Sequence, residues 1–182
     1  MQAPFFSRMR MAAPAAVMLS CLASAPGAAS NDTPDERVAR GKYLVRITGC
    51  GDCHTPGYFH GRPDATRYLG GSDVGLEMPG LGTFVGPNLT PDRDTGLGRW
   101  STQQIVLALT RGVRPDGRVL APIMPWAAYS QLSAEDAAAI AAYLQSLRPV
   151  RHQVPGPFAQ GEVVSTFVLR LIPPPDGATA RK

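Results

Sequence analysis

Cysteine is scarce in this chain. Three cysteines stand among 182 residues, and one, Cys21, falls in an apolar N-terminal stretch. Cys50 and Cys53 remain, too few for a disulfide framework. Histidine is as rare, with only His54, His60 and His152, so a zinc site has few ligands to draw on. Neither sign of charge dominates. The chain has 18 Lys and Arg against 14 Asp and Glu, and setting aside Arg8 and Arg10 leaves 16 against 14. There is no basic run, so no nucleic-acid partner is expected. The apolar stretch Met11 to Leu22 is too short to span a membrane comfortably. Glycine and proline are plentiful instead, together 37 of 182 residues. That composition predicts a loop-rich domain with few helices, short of low complexity.

The N-terminus reads as a targeting segment. Arg8 and Arg10 form a charged n-region, Met11 to Leu22 the apolar stretch, and Ala23 to Ser30 a run of small residues. Residues 1–29 are therefore expected to be a signal peptide, and the mature chain to be exported to the periplasm. Cys21 after Leu19-Ser20 leaves lipid anchoring as an alternative. Membrane association is expected only if the leader is retained or lipidated.

The decisive stretch is Cys50-Gly51-Asp52-Cys53-His54. It reads C-x-x-C-H, the c-type haem attachment signature. Two thiols three positions apart can each form a thioether to one haem vinyl group. The next residue, His54, then lies under the porphyrin, where an imidazole nitrogen binds iron. A thioredoxin-like pair would sit beside a βαβ pattern, and none surrounds it. A zinc site would need a further Cys or His pair, and His60 and His152 lie far apart in sequence.

Three helices are expected around this motif. The first runs from about Pro34 to Thr48, with Asp32 or Thr33 as cap, Pro34 in the first turn and Gly49 at its end. Gly41 would let another helix approach closely. The second opens at Ser101 with Gln104 in capping-box register and stops at Gly112. The third follows Ser133, with Ile140, Tyr143, Leu144 and Leu147 on one face. It is expected to cross the first helix near Gly41 and Tyr43. Residues 56–100 show no convincing periodicity and read as a long loop, tolerable if it packs on a cofactor. Leu69, Phe84, Val85, Leu89 and Trp100 are its expected contacts. Arg62, Asn88, Thr90 and Trp100 are candidates to bond a haem propionate or an internal water, and turn chemistry explains each of them as well.

Beyond the leader there are two methionines, Met78 and Met124. Met124 stands between Pro122 and Pro125, whose rings stiffen the loop. It is the favoured sixth ligand to iron, with Met78, His60, His152 or an open position as alternatives. Residues 151–182 differ in character. Val163 to Ile172 is apolar and β-branched, and Pro173-Pro174-Pro175 stops it. An extended segment lying on the domain is expected there, with partner docking as its functional alternative.

With the haem motif and the prolyl methionine in place, the chain resembles class I monohaem cytochromes c. More narrowly, it is similar to cytochrome c subunits and domains associated with bacterial periplasmic alcohol and gluconate dehydrogenases. Matching stretches include Arg40 to Leu44, Gly86-Pro87-Asn88-Leu89-Thr90-Pro91-Asp92, Pro115 to Arg118, Met124-Pro125-Trp126 with Tyr129, and Leu132 to Leu147. The resemblance implies an all-α cytochrome c fold over residues 30–150, with about three main helices and long loops around one covalent haem c. It implies thioethers at Cys50 and Cys53 and axial iron ligands at His54 and Met124. It also implies an electron carrier rather than an enzyme. Its partners would be redox proteins: a dehydrogenase as donor, another cytochrome or an oxidase as acceptor. Those subunits commonly carry three such domains, whereas this chain has one C-x-x-C-H motif.

Overall fold

The computed structural model describes residues 32–172. The expected leader, the Cys21 lipidation site and the Pro173-Pro174-Pro175 stop lie outside the described residues.

Helix α1 spans Pro34–Ile47. The Thr33 hydroxyl accepts from the Glu36 N–H, and the Glu36 carboxylate accepts from the Thr33 N–H at 2.9 Å. Pro34 occupies the first turn, where its missing donor would have no partner anyway. A short helix α2 covers Cys50–His54. Helix α3, Thr102–Arg111, repeats the capping box with Ser101 and Gln104, and Gly112 ends it in the left-handed conformation. Helix α4 is a single turn, Trp126–Tyr129. Helix α5, Ala134–Ser146, is capped by Ser133.

Helices α1 and α5 cross at Gly41. A Cβ there would lie 1.9 Å from the Ala139 carbonyl oxygen and 2.8 Å from the Tyr143 Cβ. The two backbones therefore touch, which only glycine permits. Leu44 and Val45 of α1 bury against Ile140, Ala141, Tyr143 and Leu144 of α5, and α3 adds Ile105 and Leu109. Arg40 clasps Asp136 at the rim through two bonds, 2.8 and 3.2 Å. Tyr43, expected at the crossing, is exposed and lies under the Arg40 guanidinium. Tyr143 fills the contact instead.

The expectation of an all-α chain is overturned. Strands β1 (Val74–Met78) and β2 (Gly82–Val85) form an antiparallel hairpin. Strand β3 (Phe167–Leu169) joins β1 in parallel, giving a mixed sheet of order β2-β1-β3. Leu76 faces Phe84 on one side and Leu169 on the other. Thr83 and Phe158 exchange backbone bonds of 2.9 Å beyond β2. The stretch read as a loop therefore meets part of its backbone bonding demand by pairing rather than against a cofactor.

Asp64 caps a 3-10 turn over Ala65–Arg67. Its carboxylate accepts from the Thr66 hydroxyl at 2.6 Å and from Arg67 Nε at 2.7 Å. Those bonds, Thr66 first, hold its pKa down from 3.8 to about 2. A depressed carboxylate adds stability above its ordinary pKa and loses it as pH falls through the folded value. The window is thus from about pH 4 down to about pH 2. In that window the urea midpoint of the wild type should fall more steeply than that of Asp64→Asn. Parallel curves would show that the cap contributes nothing. The group is exposed, so the difference will be small.

Candidate cofactor site

The site begins where α1 ends. Thr48 donates its hydroxyl to the Leu44 carbonyl at 2.8 Å. The Cys50 thiol lies 3.3 Å from that hydroxyl oxygen and donates to it. Gly49, at φ +69°, turns the chain into α2. Cys50, Cys53 and His54 occupy i, i+3 and i+4, which share one helix face. Both thiols are free. Burial pushes the pKa of each upwards, whereas reactive redox thiols sit in surroundings that depress it.

His54 is buried. Its Nδ1–H donates to the Pro87 carbonyl at 2.8 Å. Burial lowers its pKa, with the Pro87 bond opposing, so the ring is neutral at pH 7. The tautomer is then set, and Nε2 carries the free lone pair. Pro87 can reach the ring because the chain leaving β2 runs directly against α2 at Gly86. A Cβ on Gly86 would lie 1.8 Å from the Cys53 carbonyl oxygen and 3.4 Å from His54 Nδ1. The following loop braces the same helix. Gly71 N–H donates to the His54 carbonyl at 2.8 Å, and Leu69 N–H to the Thr55 hydroxyl at 3.1 Å. Leu69 is fully buried with φ +60°, a left-handed backbone that costs about 1 kcal/mol in a non-glycine residue.

Met124 stands in the segment just before α4. It is half-buried against the helix cluster, and its N–H donates to the Ala121 carbonyl at 3.0 Å. Tyr129, at the end of α4, brings this segment to α2. Its hydroxyl donates to the Thr48 carbonyl at 3.2 Å. Burial raises the Tyr129 pKa, and the neighbouring Cys50 and Cys53 add to the rise.

The other candidates are placed differently. Met78 closes β1 opposite Gly82. His60 lies 3.8 Å from Asp73, and its ring meets Phe167 edge-on. His152 Nδ1 bonds the Gly70 carbonyl at 2.7 Å. Asn88 and Thr90 are structural. Asn88 Nδ2 donates to the Val150 carbonyl at 2.7 Å, and the Thr90 hydroxyl donates to Asn88 Oδ1 at 2.7 Å. They fasten the loop to the chain beyond α5. Arg62 stands exposed, and the Trp100 ring lies beneath the Arg114 guanidinium. Leu69, Leu89 and Trp100 do pack on the core, while Phe84 and Val85 belong to the hairpin. Pro87 is the residue that sequence reasoning missed. Gly86-Pro87 is visible as loop punctuation, but a backbone acceptor leaves no mark in residue type.

Two neutral thiols and an imidazole with a free Nε2 share one helix face, and a half-buried thioether packs on the core. That donor set suits an iron porphyrin held covalently, so fold and site define a haem-binding domain of the c type. Residues 38–148 match the cytochrome c family. The chain is 33% identical over 153 residues to the cytochrome c subunit of the quinone alcohol dehydrogenase of Gluconobacter oxydans, covering 83% of this chain and 30% of that protein. It is 34% identical over 128 residues to the cytochrome subunit of fructose dehydrogenase from Gluconobacter japonicus, 67% of this chain and 25% of that one. Against the gluconate 2-dehydrogenase cytochrome c subunit of Pantoea cypripedii it is 35% identical over 123 residues, 67% of this chain and 26% of that one. The chain therefore spans about a quarter to a third of the length of these curated relatives. The chain belongs to the cytochrome c family, and that family implies haem c.

Proposed function

We propose that this protein is a periplasmic electron carrier with one covalent haem c, passing electrons from a partner dehydrogenase towards the respiratory chain. One observation carries the reading. His54 commits Nδ1–H to the Pro87 carbonyl and keeps the Nε2 lone pair free, on a helix that presents two unpaired thiols on the same face. Haem, when bound, supplies a one-electron couple at iron. Cys50 and Cys53 would tether it as thioethers. His54 Nε2 and the Met124 thioether would hold the iron, and a Met ligand would raise its potential. Pro87 orients the imidazole and strengthens it as a donor. Iron held by both His54 and Met124 would have no position left for a substrate, which argues for a carrier rather than an enzyme. The single C-x-x-C-H motif argues for one haem. The names of the relatives, as cytochrome subunits of dehydrogenases, argue for the donor. Residues 1–29 would direct export.

The test is expression with haem-attachment machinery, followed by release from the periplasm by osmotic shock. One haem per chain should survive denaturation and solvent extraction in the wild type. The double variant Cys50→Ser with Cys53→Ser should lose all covalent haem. A periplasmic protein that carries no haem, with its two cysteines joined as a disulfide, overturns the reading.

A further inference from the structure

The segment after Glu162 alternates. Val163, Phe167, Leu169 and Leu171 are 89%, 70%, 52% and 83% exposed, whereas Val164, Thr166 and Val168 are half-buried. Period two turns the odd-numbered residues outward as far as Leu169, beyond which Arg170, Leu171 and Ile172 are all exposed. The four apolar side chains expose on the order of 500 Å², within the range of the largest apolar patch on a monomer, which is often functional. The segment is held in place rather than trailing. The Thr166 hydroxyl donates to the Asp73 carbonyl, Arg170 pairs with Glu77 at 2.7 Å, and His60 meets the Phe167 ring at 5.0 Å. Among the described residues β3 pairs only with β1, so its outer edge offers unpaired backbone groups.

We propose that β3 pairs antiparallel with β3 of a second copy of this chain, about a two-fold axis at Val168. An edge strand is self-complementary in that arrangement, as an isologous interface requires. Phe167 then faces Leu169 of the other copy, and Leu169 faces its Phe167. Leu171 faces Ser165. Arg170 faces Thr166, so no like charges meet, and Arg170 keeps its own Glu77. The pairing joins two three-stranded sheets into one of six. Together the two exposed stripes offer about 1,000 Å² at most, in the size class of weak interfaces, which matches a dimer that dissociates on dilution. Both strands are ordered beforehand, which lowers the entropy cost of association.

The test uses the full-length haem-loaded protein and light scattering behind size exclusion, over a dilution series through the micromolar range. The wild type should pass from dimer to monomer on dilution. Phe167→Lys alone and Leu169→Glu alone should each raise the dissociation constant at least about tenfold, because each places two unpaired charges in the seam. Mixing the two variants should restore a dimer, since Lys at 167 of one chain faces Glu at 169 of the other. The haem spectrum of each variant, and its melting temperature at a dilution where the wild type is monomeric, should match the wild type, showing that the fold is intact. A wild type that is monomeric throughout overturns the proposal, including the case where another protein covers this face. A dimer indifferent to both substitutions, or a mixture that stays monomeric, overturns it as well.

Discussion

Met124→Ala should abolish the ferric Met–iron charge-transfer band and open the iron to added ligands such as carbon monoxide. The reduction potential should fall by tenths of a volt, a sizeable part of the roughly 0.8 V that axial ligands span. Three features support so large an effect. Met124 is half-buried against the core, its N–H is tied to the Ala121 carbonyl, and Pro122 and Pro125 flank it. A thioether so placed needs little ordering to reach a ligand, and alanine offers the iron nothing. Met78→Ala is the control. Met78 ends β1 opposite Gly82 and should leave the band and the potential unchanged. If Met124→Ala keeps the band and Met78→Ala loses it, the ligand assignment is reversed. If the wild type itself is high-spin, Met124 is core packing and the protein is a binder of small ligands.

Gly86→Ala should act on the opposite face of the site and with the opposite sign. Its Cβ would stand 1.8 Å from the Cys53 carbonyl oxygen, far inside contact distance. The end of β2 must then back away from α2, carrying Pro87 with it. The bond from His54 Nδ1 to Pro87, 2.8 Å in the native chain, lengthens or breaks. A buried donor left without its acceptor costs about 1–3 kcal/mol, and the overpacking adds a similar amount. The urea midpoint should drop accordingly. A less basic imidazole favours ferric iron less, so the potential should rise. Gly80→Ala makes the comparison fair. Gly80, unlike Gly86, has positive φ, but a Cβ there meets nothing within 4 Å. It should lose only about 1 kcal/mol through backbone strain and keep its potential. Equal potentials in the two variants would show that Pro87 does not tune the ligand.

The contrast between the attachment motif and Pro87 explains how much of this protein could be read from its sequence. The helices α1, α3 and α5 were legible because their starts are written in side chains: Thr33 with Glu36, Ser101 with Gln104, and Ser133. The attachment motif was legible because its chemistry resides in residue type. The hairpin strands were not, whereas β3 falls within the Val163 to Ile172 stretch expected to be extended. Val74–Met78 and Gly82–Val85 are too short to show a period, and each carries a glycine. Strand β3 is three residues long and pairs with a strand more than 80 positions earlier, a relation that no local window contains. Asn88 and Thr90 misled for a related reason. Their polar groups are real, but their partner is the backbone of Val150.

The crossing of α1 and α5 at Gly41 also bears on the order in which the chain can fold. These helices are the first and last of the described domain, and the Arg40–Asp136 contact between them bridges 96 positions. Closing a loop of that length costs about 4 kcal/mol of chain entropy before any packing is gained. Cys50 and Met124 lie inside that loop, one near each end. A group bound to both would divide one large closure into smaller ones. Cofactor attachment would then be a step in assembly as well as in function, and the rate of helix docking should depend on it.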